Sequence, residues 1–273
     1  MRKFFEIFFT LILAFILFFT AYSSPLMAKD SLVVNTYPSV AYINKQGEVD
    51  GPVAALIREV TGKMGQKVKF TFNPIQRMFL KLERHEADAA FNMSYNSERA
   101  EKWYYSKPVH HVFYSVFTLK SNPLNYKSRD NLKGYTIVTY GPTNMSKTVE
   151  KFAAKIPGAK VEIKTGYETA FKMLATGRFG KKAIVYAPDI IGFGVLEKWK
   201  LNDKIRFAGN DKKNLYYIVF VKELVEKSFV DKFNQVLMEV HASGKMAEIY
   251  KRYTGDIQAM PPNKEDMIMF PPQ

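Results

Sequence analysis

Apolar positions along this chain switch repeatedly between two periods. Residues 31–36 read as a short strand. Val53, Leu56, Ile57, Val60 and Met64 then recur at helical spacing, and Gly65 ends the run. Val68, Phe70 and Phe72 alternate with Lys67, Lys69 and Thr71, the pattern of a half-buried strand. Ile75, Met78, Phe79 and Leu82 give a second helical face before a strand at Ala89, Ala90 and Phe91. Strand–helix–strand order with short connections predicts parallel pairing and an α/β fold.

The pattern restarts after an uninterrupted strand over residues 112–118 and a polar linker over 120–133. Strands are predicted at 135–140, 160–164 and 183–186, with helices at 145–154, 167–175 and 190–199. A strand over 215–221 precedes an amphipathic helix carrying Phe229, Phe233, Val236, Leu237 and Val240. A last helix runs through Met246, Ile249 and Tyr253. Two similar units separated by two long strands predict two lobes crossed twice by the chain. The tail after Gly255, with Pro261, Pro262, Pro271 and Pro272, predicts an irregular strap.

Composition narrows the class. Arg2 and Lys3 precede an almost wholly apolar run over residues 7–19, and residues 21–28 turn small and polar. That is the layout of a secretory signal peptide cleaved near Ala28, and the apolar run is short of the roughly 20 residues a spanning helix needs. The expected mature chain is therefore periplasmic, with no stable membrane insertion. There is no cysteine, so packing alone must hold it together. The formal charge is +14, of which Arg2 and Lys3 less Glu6 account for +1, leaving about +13. Its lysines are scattered without a long basic run, which argues against nucleic acid and for a solvated surface.

Candidate chemistry concentrates at residues 88–108. The apolar strand ends in Asn92, Ser94, Asn96 and Ser97, and a helix start follows at once, with Asn96 or Ser97 as N-cap and Glu98 and Glu101 in the first turn. Hydroxyls, backbone N–H groups and the Arg99 guanidinium thus gather at the end of a buried strand, a place suited to a small carboxylate. His110 and His111 adjoin, but no carboxylate cluster with metal-ligand spacing accompanies them, so neither metal nor cofactor is expected.

These residues resemble a family: the periplasmic solute-binding proteins of the polar-amino-acid type, partners of ABC importers (bacterial extracellular solute-binding protein family 3). Its members share a small–Gly–x–Thr–x–Thr–x–x–Arg segment followed by aromatic–Ser–x–Pro. Here the segment runs Phe91-Asn92-Met93-Ser94-Tyr95-Asn96-Ser97-Glu98-Arg99, then Tyr105-Ser106-Lys107-Pro108. Asn131-Leu132-Lys133-Gly134 is similar to the family's entry into its second lobe. Phe233-Asn234, Ser243-Gly244-Lys245, Ile249-Tyr250, Tyr253 and Gly255 are similar to its closing pattern.

The resemblance implies a type II periplasmic-binding fold. Two Rossmann-like lobes, 29–118 plus 216–273 and 119–215, would be joined by two hinge strands and close on a ligand in the cleft between them. It implies that Arg99 grips a ligand carboxylate, Ser94 donates a hydroxyl, Asn92 offers a backbone carbonyl, and Gly141 to Thr143 supply second-lobe N–H groups. Tyr37 and Tyr42 stand where an aromatic wall is common. Arg77 is a further contact candidate, and Tyr140 and Tyr186 end second-lobe strands.

Departures narrow the ligand. Ala187 stands where the family's aspartate for an α-ammonium is expected, with Asp189 two positions later as an uncertain replacement, and Pro142 removes one cradle N–H. The expected function is capture of a small, carboxylate-bearing solute by a monomer and its delivery to ABC importer membrane subunits, without catalysis. Two alternatives share the scaffold: a prephenate-type (cyclohexadienyl) dehydratase, and a ligand-presenting partner of a membrane sensor.

Overall fold

Side-chain alternation decides how the sheet is built. The computed structural model describes residues 30–253 and 259–269; the expected leader over 1–28 and Gly255 of the closing pattern lie outside them. Among the described residues nine strands form one sheet in the order β4-β1-β5-β11-β7-β10-β8-β9, with the short β6 also paired to β11. The first half holds β1 (Leu32–Thr36), β4 (Val68–Phe72) and β5 (Ala89–Ser94), parallel to one another, and β6 (Trp103–Tyr105). The second half holds β8 (Thr136–Tyr140), β9 (Lys160–Lys164) and β10 (Ala183–Pro188), also parallel. A separate two-stranded piece, β2 (Tyr42–Ile43) with β3 (Val49–Asp50), stands apart.

Two long strands connect the halves. β7 (His110–Leu119) and β11 (Ile205–Val221) run antiparallel side by side; β11 then pairs with β5, and β7 with β10. The strand predicted at 215–221 is therefore only the last part of a 17-residue strand. Its first part carries Asn210, Asp211, Lys212, Lys213 and Asn214, which hide the strand from any hydrophobic pattern. Two register shifts, at Phe207/Gly209 and Asn210/Lys212, interrupt the pairing there.

Period two sends neighbouring residues to opposite faces. On β11, Ile218 and Phe220 join the core under α1 (Pro52–Lys63), α7 (Lys227–Ala242) and α8 (Lys245–Lys251), whereas Tyr217, Val219 and Val221 face the core of α2 (Ile75–Glu83). On β10, Ile184 and Tyr186 pack toward α4 (Asn144–Ala153), and Val185 and Ala187 toward α5 (Tyr167–Ala175) and α6 (Asp189–Lys198). Each half thus has a buried core on both faces of its sheet. Burial of such side chains contributes about 1.5–3 kcal/mol each. At Gly192 of α6 a Cβ would sit 2.2 Å from the Phe117 ring, so only glycine lets this helix lie so close to β7.

The tail differs from the irregular strap expected. Asn263 caps a short helix, α9 (Lys264–Ile268), in a reciprocal box with Asp266. Met267 is fully buried, the Lys213 ammonium lies 2.5 Å from Asp266, and Met260 bridges to His111. The described tail is a pinned element across β7 and β11.

Candidate functional site

The end of β5 is shaped by one residue out of register. Tyr217 pairs with Met93 and Ile218 with Phe91, which leaves Asn92 as a bulge with φ 68°. Asparagine is among the few non-glycine residues that tolerate this left-handed backbone. Its Oδ1 accepts from His110 Nε2 at 2.9 Å, and the His110 ring stacks on Tyr216 at 4.8 Å. Burial, with His111 beside it, pushes His110 down to about 3, so the ring is a neutral donor. The Tyr37 hydroxyl donates to the Asn92 carbonyl at 3.1 Å, the carbonyl expected to face a ligand.

The next turn is α3 (Ser97–Lys102). Asn96 caps it, its Oδ1 accepting from the Arg99 N–H at 3.1 Å. Arg99 lies over the Phe79 ring at 4.5 Å, and Phe79 in turn stacks on Trp103 at 6.3 Å. Burial lowers the guanidinium from its ordinary value, while Tyr105, Tyr37 and Glu98 act the other way. Among the described residues no carboxylate comes within 4 Å of it.

Arg99 faces a cavity of about 520 Å³ between the two halves of the sheet. Its walls carry six aromatic side chains: Tyr37, Phe79, Tyr114, Tyr140, Tyr167 and Tyr216. Asn92, Ser94, Thr143, Asn144 and Thr165 supply neutral polar groups, and among the described residues Arg99 is the one charged residue in the lining. Burial raises the hydroxyls of Tyr37, Tyr167 and Tyr216 well above their usual value, so these phenols stay neutral. The second half contributes the start of α4, where Thr143 and Ser146 form a reciprocal capping box. Asn144 then reaches across: its Nδ2 donates to Ser94 Oγ and its Oδ1 accepts from Asn96 Nδ2, each at 3.0 Å.

Of the residues singled out by sequence, Arg99, Ser94, Asn92, Tyr37, Tyr140 and Thr143 meet at this cavity. Arg77, Gly141, Tyr186, Asp189 and Tyr42 do not. Arg77 is exposed, because Ile75 and Phe79, one helical turn apart, turn to the cavity and residue 77 falls on the other side of α2. Gly141 is buried behind the wall with its N–H donating to Lys164 O at 3.1 Å, so it adds no donor to a cradle. A Cβ there would meet Ile163 at 2.7 Å and Ser146 at 2.8 Å, so its role is to make room for the turn.

Tyr186 lies wholly inside the second half and donates to Asp211 Oδ2 at 2.6 Å. Asp189 opens α6 with Oδ1 accepting from the Ile190 N–H; burial raises its carboxyl, and Pro188, Ile190 and Ile191 line the cavity around it while it does not. Ala187 is fully buried. Tyr42 is exposed and bonded to Asp50, away from the cavity, while Tyr140 lines it. Sequence reasoning missed Tyr114, Tyr167, Tyr216, Phe79 and Asn144; only Phe79 carried a local signal, its i+4 spacing from Ile75.

Comparison with known proteins places this geometry in context. The model of the family "Bacterial extracellular solute-binding proteins, family 3" matches residues 31–256. A probable amino-acid ABC transporter-binding protein of Haemophilus influenzae is 26% identical over 225 residues, covering 81% of this chain and 82% of that protein. The L-cystine-binding protein TcyA of Bacillus subtilis is 27% identical over 223 residues, with 81% and 79% covered. Among solved structures, an ancestral arginine-binding protein bound to arginine superposes with a TM-score of 0.68 at 22% identity, covering 83% of this chain and 99% of that one. A histidine kinase sensor domain with similarity to periplasmic binding proteins gives 0.69 at 18%, covering 85% and 98%. At those identities the structural likeness speaks to the fold alone.

Proposed function

The chain belongs to the bacterial extracellular solute-binding proteins, family 3, and from that premise we propose that it captures a small carboxylate-bearing solute and delivers it to the membrane subunits of an ABC importer. In this reading residues 29–118 plus 216–273 and residues 119–215 are lobes that close about β7 and β11. The leader over 1–28 sends the chain to the periplasm and is removed near Ala28. The scaffold acts as a binder rather than a catalyst, in keeping with a family of binding proteins.

One observation carries the ligand class: Arg99 faces the cavity with no carboxylate within 4 Å among the described residues. A half-buried guanidinium held on an aromatic ring gains most from an anionic, planar, two-oxygen partner. The rest of the lining supports a further restriction. Relatives are named for amino acids or L-cystine, whose α-ammonium needs an acceptor, and among the described residues no Asp or Glu lines the cavity. An ammonium desolvated without a counter-charge is costly. The preferred ligand is therefore an acid whose body is apolar or aromatic and fits the tyrosine walls, rather than a simple α-amino acid.

Thermal-shift screening of amino acids against keto, aryl and dicarboxylic acids tests the restriction, and calorimetry on Arg99→Ala with the best ligand tests the anchor. The expected loss is about 2–5 kcal/mol, roughly thirtyfold to several thousandfold in Kd. Unchanged affinity in Arg99→Ala removes the carboxylate role. Preferential stabilisation by free amino acids removes the restriction.

A further inference from the structure

We propose that Asn144 is a positioning residue that clasps the two halves of the sheet together and aims the Ser94 hydroxyl into the cavity. It opens α4 in the second half, yet both ends of its carboxamide bond to the first half: Nδ2 to Ser94 Oγ and Oδ1 to Asn96 Nδ2, each at 3.0 Å. A carboxamide is the side chain suited to this, since it donates from one end and accepts at the other. Both partners belong to the Arg99 side of the cavity. Asn96 caps the helix that carries Arg99, accepting the Arg99 N–H. Ser94 lines the cavity.

The consequence for Ser94 follows from its valence. With Oγ accepting from Asn144, its own O–H proton is left to donate, and the neighbouring Arg99 draws an anionic acceptor to that place. Asn144 thus sets the direction of a neutral donor beside the guanidinium without adding charge. It also ties Asn96, and through the cap α3, to the opposite wall. The halves are held by bonds within the chain itself, and a ligand then adds to a cleft already biased toward closure. This deepens the reading of a closing cleft and rests on it.

The test uses ligand-free protein, so its failure is distinct from a failure of the Arg99 anchor. The chain has no cysteine, so Glu83→Cys and Lys155→Cys, at exposed positions in opposite halves, give one unambiguous spin-label pair. The distance distribution is then read with and without Asn144→Ala. Loss of two neutral hydrogen bonds should raise the long-distance population about tenfold, and Ser94→Ala, which removes one of them, about threefold. The double variant Asn144→Ala/Ser94→Ala should show no more opening than Asn144→Ala alone. Asn144→Asp keeps the size but cannot donate to Ser94 and brings a negative charge to the Arg99 side. It should bind the best carboxylate from the screen more weakly than Asn144→Ala does. Distance distributions identical across wild type, Asn144→Ala and Ser94→Ala overturn the clasp. Should Asn144→Ala fail to fold, Ser94→Ala alone decides. Equal affinities for Asn144→Asp and wild type overturn the aiming role.

Discussion

Arg99 and Arg129 make the same contact and lead opposite lives. Each guanidinium lies on an aromatic ring, Arg99 over Phe79 at 4.5 Å and Arg129 over Phe152 at 4.3 Å. Arg129 then meets Asp211 through Nε and Nη2, the closest contact at 2.7 Å. Tyr126 and Tyr186 complete the shell of that carboxylate at 2.5 and 2.6 Å. Burial alone would raise Asp211; the bonds from Arg129, Tyr126 and Tyr186 outweigh it and hold the carboxyl below its ordinary value. Arg129 is raised in turn, first by the bond to Asp211. Arg99 has a cavity where Arg129 has a carboxylate. A ring fixes where an arginine sits, and the presence or absence of an acid decides whether it is part of the fold or open to a ligand.

That contrast can be broken by exchanging the roles of the two residues. The largest expected effect on stability comes from Arg129→Ala, which strands Asp211 at 6% side-chain exposure and should cost about 3 kcal/mol in urea denaturation. Arg99→Ala, which strands no charged partner, should change stability in urea by no more than ordinary surface substitutions do, about 0.5 kcal/mol. If Arg99→Ala proves the more destabilising of the two, the contrast is wrong.

Acid titration sharpens it next. Because the folded value of Asp211 is depressed, its contribution is present above the unfolded value of about 3.9 and disappears as pH falls through the folded value. Asp189 is raised by burial and works in the opposite sense: its contribution is present below about 3.9 and is lost as pH rises through its folded value. Wild type should therefore exceed Asp211→Asn in stability at pH 6 by a margin that shrinks toward pH 3. A margin independent of pH would show that the charge of Asp211 contributes nothing. The smallest effect on ligand binding belongs to the ring itself. Phe79→Leu keeps the apolar support but removes the π face under Arg99, and should weaken ligand binding by about 1 kcal/mol with kinetics dominated by faster release.

The order of strands and helices was legible because most elements are half-buried and carry their own period. Arg99 was legible for a related reason: Asn96, two acidic residues and a preceding apolar strand are a local signal of a capped helix at a strand end. What stayed hidden depends on contacts far apart in sequence. Tyr186 reads as a strand-end aromatic, and nothing near it reveals Asp211, 25 residues on, as its partner. Tyr114 and Tyr216 reach the cavity because β7 pairs with β11, a pairing of residues about a hundred positions apart. Arg77 failed on helical phase, since being near the cavity in sequence is not facing it. The polar first part of β11 had no hydrophobic period to read, because its side chains serve Arg129, Ser115 and the tail rather than a core.

The stack of Trp103 on Phe79 under Arg99 also has an optical meaning. The chain holds two tryptophans, and they report on different halves. Trp103 is buried in the first half, one ring removed from the guanidinium, whereas Trp199 is partly exposed in the second half with the Lys172 ammonium 3.0 Å from its ring centre. Neutralising the charge above Phe79 alters the field at the first indole and leaves the second beside Lys172. If an anion binds Arg99 as proposed, its occupancy should be readable in unlabelled protein as a change in Trp103 emission against a steady contribution from Trp199.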